Sequence, residues 1–415
     1  MRKWTQREGI GRTKGGLSVG MAQTARDLYD RVVELRRRFH MNPELAMEEL
    51  QTAAHVTQVL RSEGMEVRTG VGKTGVVGLL RGRRPGPTVA LRADMDALPM
   101  TEETGAPYAS KVSERMHACG HDAHTANLLG VSMLLNQITK GGERLAGNIK
   151  FLFQPAEEGS GGARPMIEDG ALTDPDVDAV FGLHVSSELP TGTIAVKEGV
   201  ASASSDTAYI RIVGQGGHGA HPEKTVDSIV VASHFITALQ TVVSREIKPN
   251  DAAVVSVGRI IGGYRSNIIA PRVELEATVR TLDPEVRASM RERIERILAG
   301  TTSAFRADYE LDYAYGYPSQ HNDEEMVKLV RAAARSVTSS DAETIPDPSM
   351  GAEDFGYFSS EVPGCFFALG VRNETEGLGV YPAHHPCFDI DERALYTGMQ
   401  VMAQVALDYL ERAFE

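Results

Sequence analysis

Short runs of β-branched and aliphatic residues alternate along this chain with longer stretches of helical period, and no other feature limits its fold so tightly. TGVVGLL, TVALRADMD, NIKFLFQ, DAVFGLHV and TIAVKEG read as strands, and CFFALGV returns the same signal late in the chain. Their near-continuous apolarity suits strands covered on both faces. Helical period appears over Thr24 to Phe39, where Leu28, Val32, Leu35 and Phe39 recur on one side, and over Ala46 to Glu63 with Gly64 as its stop. It reappears in HTANLLGVSMLLNQI, EEMVKLVRAAARSV and ERALYTGMQVMAQVALDYL. Strands alternating with helices predict an α/β domain with a mostly parallel sheet. The run Arg36, Arg37, Arg38 falls mostly beside the first apolar stripe and reads as a solvated face.

A different order interrupts this pattern. SDTAYIRIVG, TVDSIVVASHFITALQTVV, AAVVSVGRII, RVELEATVR, PEVRASMRERIERILAG and ADYELDYAY spell β-α-β-β-α-β, a ferredoxin-like unit complete in itself. The expectation is therefore a two-domain chain: an α/β domain from 22–200 and 316–415, and an inserted domain from 201–315. The first 21 residues, with five basic residues and several glycines among the first twenty but no apolar run, read as a disordered leader.

Composition narrows the function. The 415 residues exceed what one hydrophobic core usually serves, and 43 Lys plus Arg against 56 Asp plus Glu give a formal charge of −13. That charge repels polyanions and argues against a nucleic-acid partner. Every apolar stretch is broken by Asp, Glu, Arg or Gly, so no membrane span is expected. Three cysteines, Cys119, Cys365 and Cys387, cannot make a disulfide framework and suit a reducing, cytoplasmic setting.

The densest polar cluster is HACGHDAH, residues 117–124, where a thiol and an imidazole one residue apart precede an apolar helix. Thiolate and imidazole are ligands that transition metals prefer. Alone, a Cys-x-His pair reads better as an inert buried thiol beside a helix cap. Further ligand-type residues stand where strands end, however: Asp94 and Asp96, Glu157 and Glu158, His184, and the adjacent His384 and His385. In open α/β sheets ligands bind beyond the carboxyl ends of the strands, so these loops should converge. Adjacent glutamates in extended backbone point opposite ways, which lets one bind metal while the other faces substrate.

RADMDALPM, MHACGHDAHTA, QPAEEGSGGA, GLHV, GGHGAHPEKTVD, SNIIAPRVELEATVRT, GAEDF and HHPCFDIDE resemble, in order, the motifs of the aminoacylase and carboxypeptidase G metallopeptidase family. Within it they are similar to the amidohydrolase branch that includes hippurate hydrolases and hydrolases of indole-3-acetyl amino acids. The resemblance runs from about Leu28 to the C-terminus. It implies a dinuclear site with Cys119, His121, Glu158, His184 and a late histidine as ligands, Glu157 as general base and Asp96 as an orienting carboxylate. The family pattern His-x-Pro-x-Phe puts the late histidine at His384, with His385 as the rival register. The family's metal-binding peptidases carry histidine where Asp94 stands here, a departure shared with the amidohydrolase branch. The inserted domain would act as a lid and make a homodimer, with His218 reaching the partner's site and Asn267 and Arg280 holding a substrate carboxylate. His117, His124, His221 and His234 read as structural. Two divalent ions are implied, and the donor set accepts Mn, Zn, Co or Ni.

The implied reaction is hydrolysis of the amide bond of a small N-acyl amino acid. Three rivals are weighed against it. A cysteine hydrolase built on Cys119 leaves Glu158, His184 and His384 without a purpose. A silent binding protein on the same fold predicts a broken Glu157 or a missing ligand, and neither is seen. An exopeptidase keeps the chemistry and changes the substrate.

Overall fold

The computed structural model describes residues 16–412. They divide into two compact units, one of 16–196, 328–343 and 366–412, the other of 197–327 and 344–365. Among the described residues no helix is long and apolar enough to cross a membrane.

The first unit opens with α1 (Gly16–Met41) and α2 (Leu50–Ser62). The first of these begins earlier than its apolar stripe predicts, so residues 16–21 of the expected leader are helical; residues 1–15 lie outside the described residues. The second begins four residues later than expected, because 42–49 form a loop whose Glu44 carboxylate receives the N–H groups of Gln51 and Thr52 and so caps the helix from outside it. Strands β1 (Glu66–Val71), β2 (Gly75–Arg81), β3 (Arg84–Asp94), β4 (Ala146–Gln154), β5 (Ala179–Pro190) and, much later, Gly364–Arg372 form an eight-stranded sheet with the short strands Ile194–Val196 and Glu343–Thr344. Across it the order runs β1-β2-β4-β3-β5, then 364–372, 194–196 and 343–344. The centre is parallel, with β3 between β4 and β5, while β1, β2 and 194–196 pair antiparallel toward the edges. The strand β1, exposed along most of its length, has no apolar signature and escaped the sequence reading. The helix α3 (His121–Ile138) is buried almost throughout, between α1 and the helix Ala394–Arg412.

The second unit contains the β-α-β-β-α-β order that the sequence predicts. Its four-stranded antiparallel sheet runs Ala253–Gly262, Arg272–Thr281, Asp206–Val213, Asp308–Tyr315. Strand 272–281 buries every second side chain, Val273, Leu275, Ala277 and Val279, against Phe235 and Leu239 of one helix and Met290 and Ile294 of the other. Both helices start on aspartates whose carboxylates take two N–H groups each, Asp227 and Asp283.

One arginine corrects the sequence reading. Arg36 is fully buried rather than solvated, and Arg37 and Arg38 alone face outward. The Arg36 guanidinium reaches Asp122 at 2.8 Å, Asp389 at 2.7 Å and Glu392 at 3.3 Å. It thereby ties α1 to the first turn of α3 and to the segment that follows His384. His40, one turn further along α1, bonds Asp122 at 2.8 Å and Glu102 at 3.2 Å. Burial and Arg36 both oppose a charge on His40, but Asp122 and Glu102 outweigh them and lift its pKa from 6.5 to about 9.

A folded-state pKa raised in this way stabilises the protein fully below pH 6.5, and the contribution is lost as pH rises through about 9. The shift corresponds to about 3 kcal/mol. Urea midpoints measured from pH 7 to 10 should therefore fall more steeply for the wild type than for His40→Gln. Parallel curves would show that His40 is neutral in the fold.

Candidate metal centre

The parallel centre of the sheet brings the ligand-type residues to one edge. Asp94 ends β3 in register with Gln154 at the end of β4, and His184 lies two residues past Gly182, the partner of Arg92. The chain then enters α3 at His121 through Gly120, whose φ of 91° is left-handed and where an added Cβ would meet Val185 Cγ2 at 2.4 Å. Glycine is required there, and it sets the direction in which Cys119 and His121 leave the loop.

The donor atoms of Cys119, His121 and His184 lie within 4.8 Å of one another, as do those of Cys119, Glu158 and His384, and those of His121, Glu157 and Glu158. Cys119 Sγ stands 3.4 Å from His184 Nε2, and His384 Nε2 stands 2.9 Å from Glu158 Oε1. Of the two adjacent late histidines only His384 faces this cluster. Its φ of 67° and its N–H bond to the Ala118 carbonyl turn it toward Glu158, whereas His385 stacks on Tyr381 and accepts the Cys387 N–H.

Asp96 organises the cluster from behind. Its Oδ1 accepts the Glu157 N–H at 3.0 Å and faces His121 Nδ1 at 3.2 Å, and its Oδ2 accepts the Glu158 N–H at 2.9 Å. With Nδ1 turned to Asp96, the buried Nε2 of His121 lies 3.6 Å from Asp94 Oδ2 and has no partner at hydrogen-bond distance among the described residues. A second chain of contacts fixes His184. Asp94 takes His124 Nδ1 at 2.6 Å, His124 Nε2 accepts the Val185 N–H at 2.9 Å, and the Val185 carbonyl takes His184 Nδ1 at 2.7 Å. Both nitrogens of His124 are spent in that relay, and Asp94 also holds Arg92 at 2.7 Å. Asp94 and His124 are thereby tied to His184, and with His121 they also form a further group of donor atoms within 4.8 Å, contacts the sequence reading did not assign to either. The paired neighbours His124 and Asp94 in CGHDAH and RADMD were the available signal.

The electrostatics match. Burial pushes the Cys119 thiol well above its ordinary range. Burial also opposes charging His121, yet Asp94, Cys119 and Asp96 override it and raise its pKa well above the usual value. Glu158, despite burial, is held low by its bond to His384 and by His121. Such a set of negative groups is compensated by protons or by metal cations. The orphaned Nε2 of His121, together with one thiol, imidazoles and carboxylates, fits divalent transition ions.

Of the remaining candidates, His218 and Asn267 come together in the second unit. His218 pairs with Ile268 in a two-stranded ribbon, and the Gly219 N–H donates to the Asn267 carbonyl at 2.9 Å. Arg280 lies on strand 272–281, bonded to Thr278 Oγ1, and makes no ion pair among the described residues. His117 is buried with neither nitrogen partnered, and burial holds its pKa down to about 4. His221 is exposed beside His218, and His234 stacks near Phe305.

Residues 90–408 match the model of peptidase family M20/M25/M40. The chain is 40% identical over 385 residues to an N-acetylcysteine deacetylase of Bacillus subtilis, covering 92% of this chain and 98% of that one. It is 40% identical over 388 residues to thermostable carboxypeptidase 2 of Saccharolobus solfataricus, covering 92% and 96%. Among solved structures it resembles the Bacillus subtilis YxeP protein, described as a dinuclear metal-binding peptidase of the M20 family. The TM-score is 0.80 at 36% identity, covering 93% of this chain and 99% of that one. Fold and donor cluster together define a metal-dependent hydrolase of amide bonds. The chain belongs to peptidase family M20/M25/M40.

Asp96 is the point where this geometry can be tested. Asp96→Asn presents an N–H where an acceptor is needed, so metal affinity should fall by roughly 10- to 100-fold while the thermal midpoint moves little. Equilibrium dialysis with Mn or Zn measures it, and an unchanged affinity would remove Asp96 from the site.

Proposed function

We propose that this protein hydrolyses the amide bond of N-acyl L-amino acids, using two divalent ions held by Cys119, His121, Glu158, His184 and His384. The observation that carries the reading is the placing of the adjacent glutamates: both group with His121, and Glu158 alone also reaches Cys119 and His384. When bound, the ions polarise the amide carbonyl and lower the pKa of water from about 15.7 towards about 7. Glu157 takes the proton from the attacking water and delivers it to the leaving nitrogen. Asp96 holds the turn that carries Glu157 and fixes the His121 tautomer. His218 supplies a donor to the developing oxyanion, and Asn267 and Arg280 receive the substrate carboxylate. The native ion is one of Mn, Zn, Co or Ni.

The deacetylase relative supports the N-acyl substrate, and the equally similar carboxypeptidase supports a peptide one. The reading also makes the protein a homodimer through the inserted unit, with His218 acting in the partner's site. The exposed edge strand 253–262, carrying Ile260 and Ile261, supports that part.

Apo-protein reconstituted separately with Mn, Zn, Co and Ni should hydrolyse one acyl class among N-acetyl, N-benzoyl and indole-acetyl amino acids. Turnover on dipeptides alone would select the exopeptidase reading. Glu157→Gln should keep its metal and lose turnover by roughly 100-fold or more, whereas Cys119→Ala should lose metal as well. Near-full activity in Glu157→Gln would displace it as the base. His218→Ala and Glu157→Gln proteins, each inactive, should regain activity when their subunits are mixed and exchanged; no recovery would place His218 in its own subunit's site or outside the chemistry.

A further inference from the structure

Glu49 carries a fully buried carboxylate and makes no ion pair among the described residues. It stands at the start of α2, yet its side chain caps nothing there. Instead Oε1 receives the N–H of Met47 at 3.0 Å and of Ala156 at 2.9 Å, and Oε2 receives the Thr74 hydroxyl at 2.5 Å. Ala156 lies 107 residues away along the chain, immediately before the two glutamates. Its φ is 55°, a left-handed conformation that an L-alanine holds only where its surroundings over-determine it. The Ala156 carbonyl closes the turn by accepting the N–H groups of Gly159 and Gly161.

Three consecutive amides are thus captured by two buried carboxylates from separate loops: 156 by Glu49, 157 and 158 by Asp96. The loop that carries Glu49 also touches the other clamp, since the Glu44 carbonyl accepts the N–H of Ala97, next to Asp96.

We infer that Glu49 is a positioning residue for the turn 156–158: by holding Ala156 left-handed it sets the direction in which the Glu157 carboxylate leaves the backbone. The inference rests on the proposed role of Glu157 for its catalytic consequence, and on the hydrogen bonds alone for its structural one. Glu157 has its own backbone tie to Asp96, so loss of Glu49 rotates the base without removing it. A base displaced by about 1 Å lowers the chemical step and leaves substrate binding in place.

The geometry distinguishes shape from charge. Glutamine can accept both N–H groups with Oε1 and donate to Thr74 Oγ1 with Nε2, so Glu49→Gln keeps every contact. Aspartate keeps the charge and, one methylene shorter, withdraws from Ala156. Hydrogen exchange of the peptide 153–161 is measured in the metal-free protein, and kcat, KM and metal content in the loaded one, for Glu49→Gln, Glu49→Asp and Glu49→Ala. In Glu49→Asp and Glu49→Ala, protection of the turn and kcat should each fall at least about tenfold, with KM and metal content unchanged. Glu49→Gln should stay within about threefold of wild type on every readout. The inference is overturned if Glu49→Asp behaves as wild type while Glu49→Gln does not, or if a folded Glu49→Ala keeps its kcat and exchange pattern. Should Glu49→Ala not fold, the Asp and Gln pair still decides. If the wild type hydrolyses no N-acyl amino acid, the functional reading fails, while the exchange data on the metal-free protein still decide whether Glu49 holds the turn.

Discussion

The Asp96 carboxylate is the contact on which the centre depends. It has two oxygens and serves three groups from two loops: the His121 ring and the amides of Glu157 and Glu158. Fixing those amides sets where two neighbouring carboxylates point, and fixing the ring sets which imidazole nitrogen turns inward. Neither result can be obtained from the glutamates or the histidine alone, because each is free to rotate about its own bonds. A buried acceptor with donors converging from several directions removes that freedom at a cost paid once, in desolvation.

Behind Asp96 lies a second layer of charge. Arg36 and His40 on α1 neutralise Asp122, Glu102 and Asp389, so the segments that carry His121 and His384 are anchored to the same helix. Removing one partner from such a network strands the others in a medium that does not solvate them, which makes the arrangement cooperative. The relay from Asp94 through His124 and Val185 does the same for His184, starting from a carboxylate that Arg92 pairs.

Much of this molecule was legible in its sequence. Period alone placed the main helices and the central strands, because each buries one stripe or both faces. The rule that ligands gather at the carboxyl ends of parallel strands placed Asp96, Glu157 and Glu158 near one edge; His184, expected to end its strand, lies inside β5, two residues past its parallel pairing with β3. What escaped was what long-range contacts decide. Residues 46–49 have helical propensity, yet they form a loop in which Glu49 serves distant amides. Arg36 opens a run of three arginines of which the other two, Arg37 and Arg38, are exposed, and only its place beside Leu35 in the apolar stripe distinguishes the buried one. The choice between His384 and His385 turns on a backbone angle that two adjacent histidines cannot announce. Contacts from a side chain to a remote main-chain amide leave no residue pattern at all.

The order of strands in the large sheet has a consequence for how the chain acquires its shape. Strand 364–372 lies between β5 and the short strand 194–196, so neighbours in the sheet are separated by well over a hundred residues of sequence. The second unit's four-stranded sheet draws on residues 206–315 alone. Local contacts form fast and distant ones wait on loop closure. The unit interposed in the sequence therefore has the quicker route to a packed core, while the sheet that supports the donor cluster stays open until the late strand, and His384 beyond it, arrive to complete it.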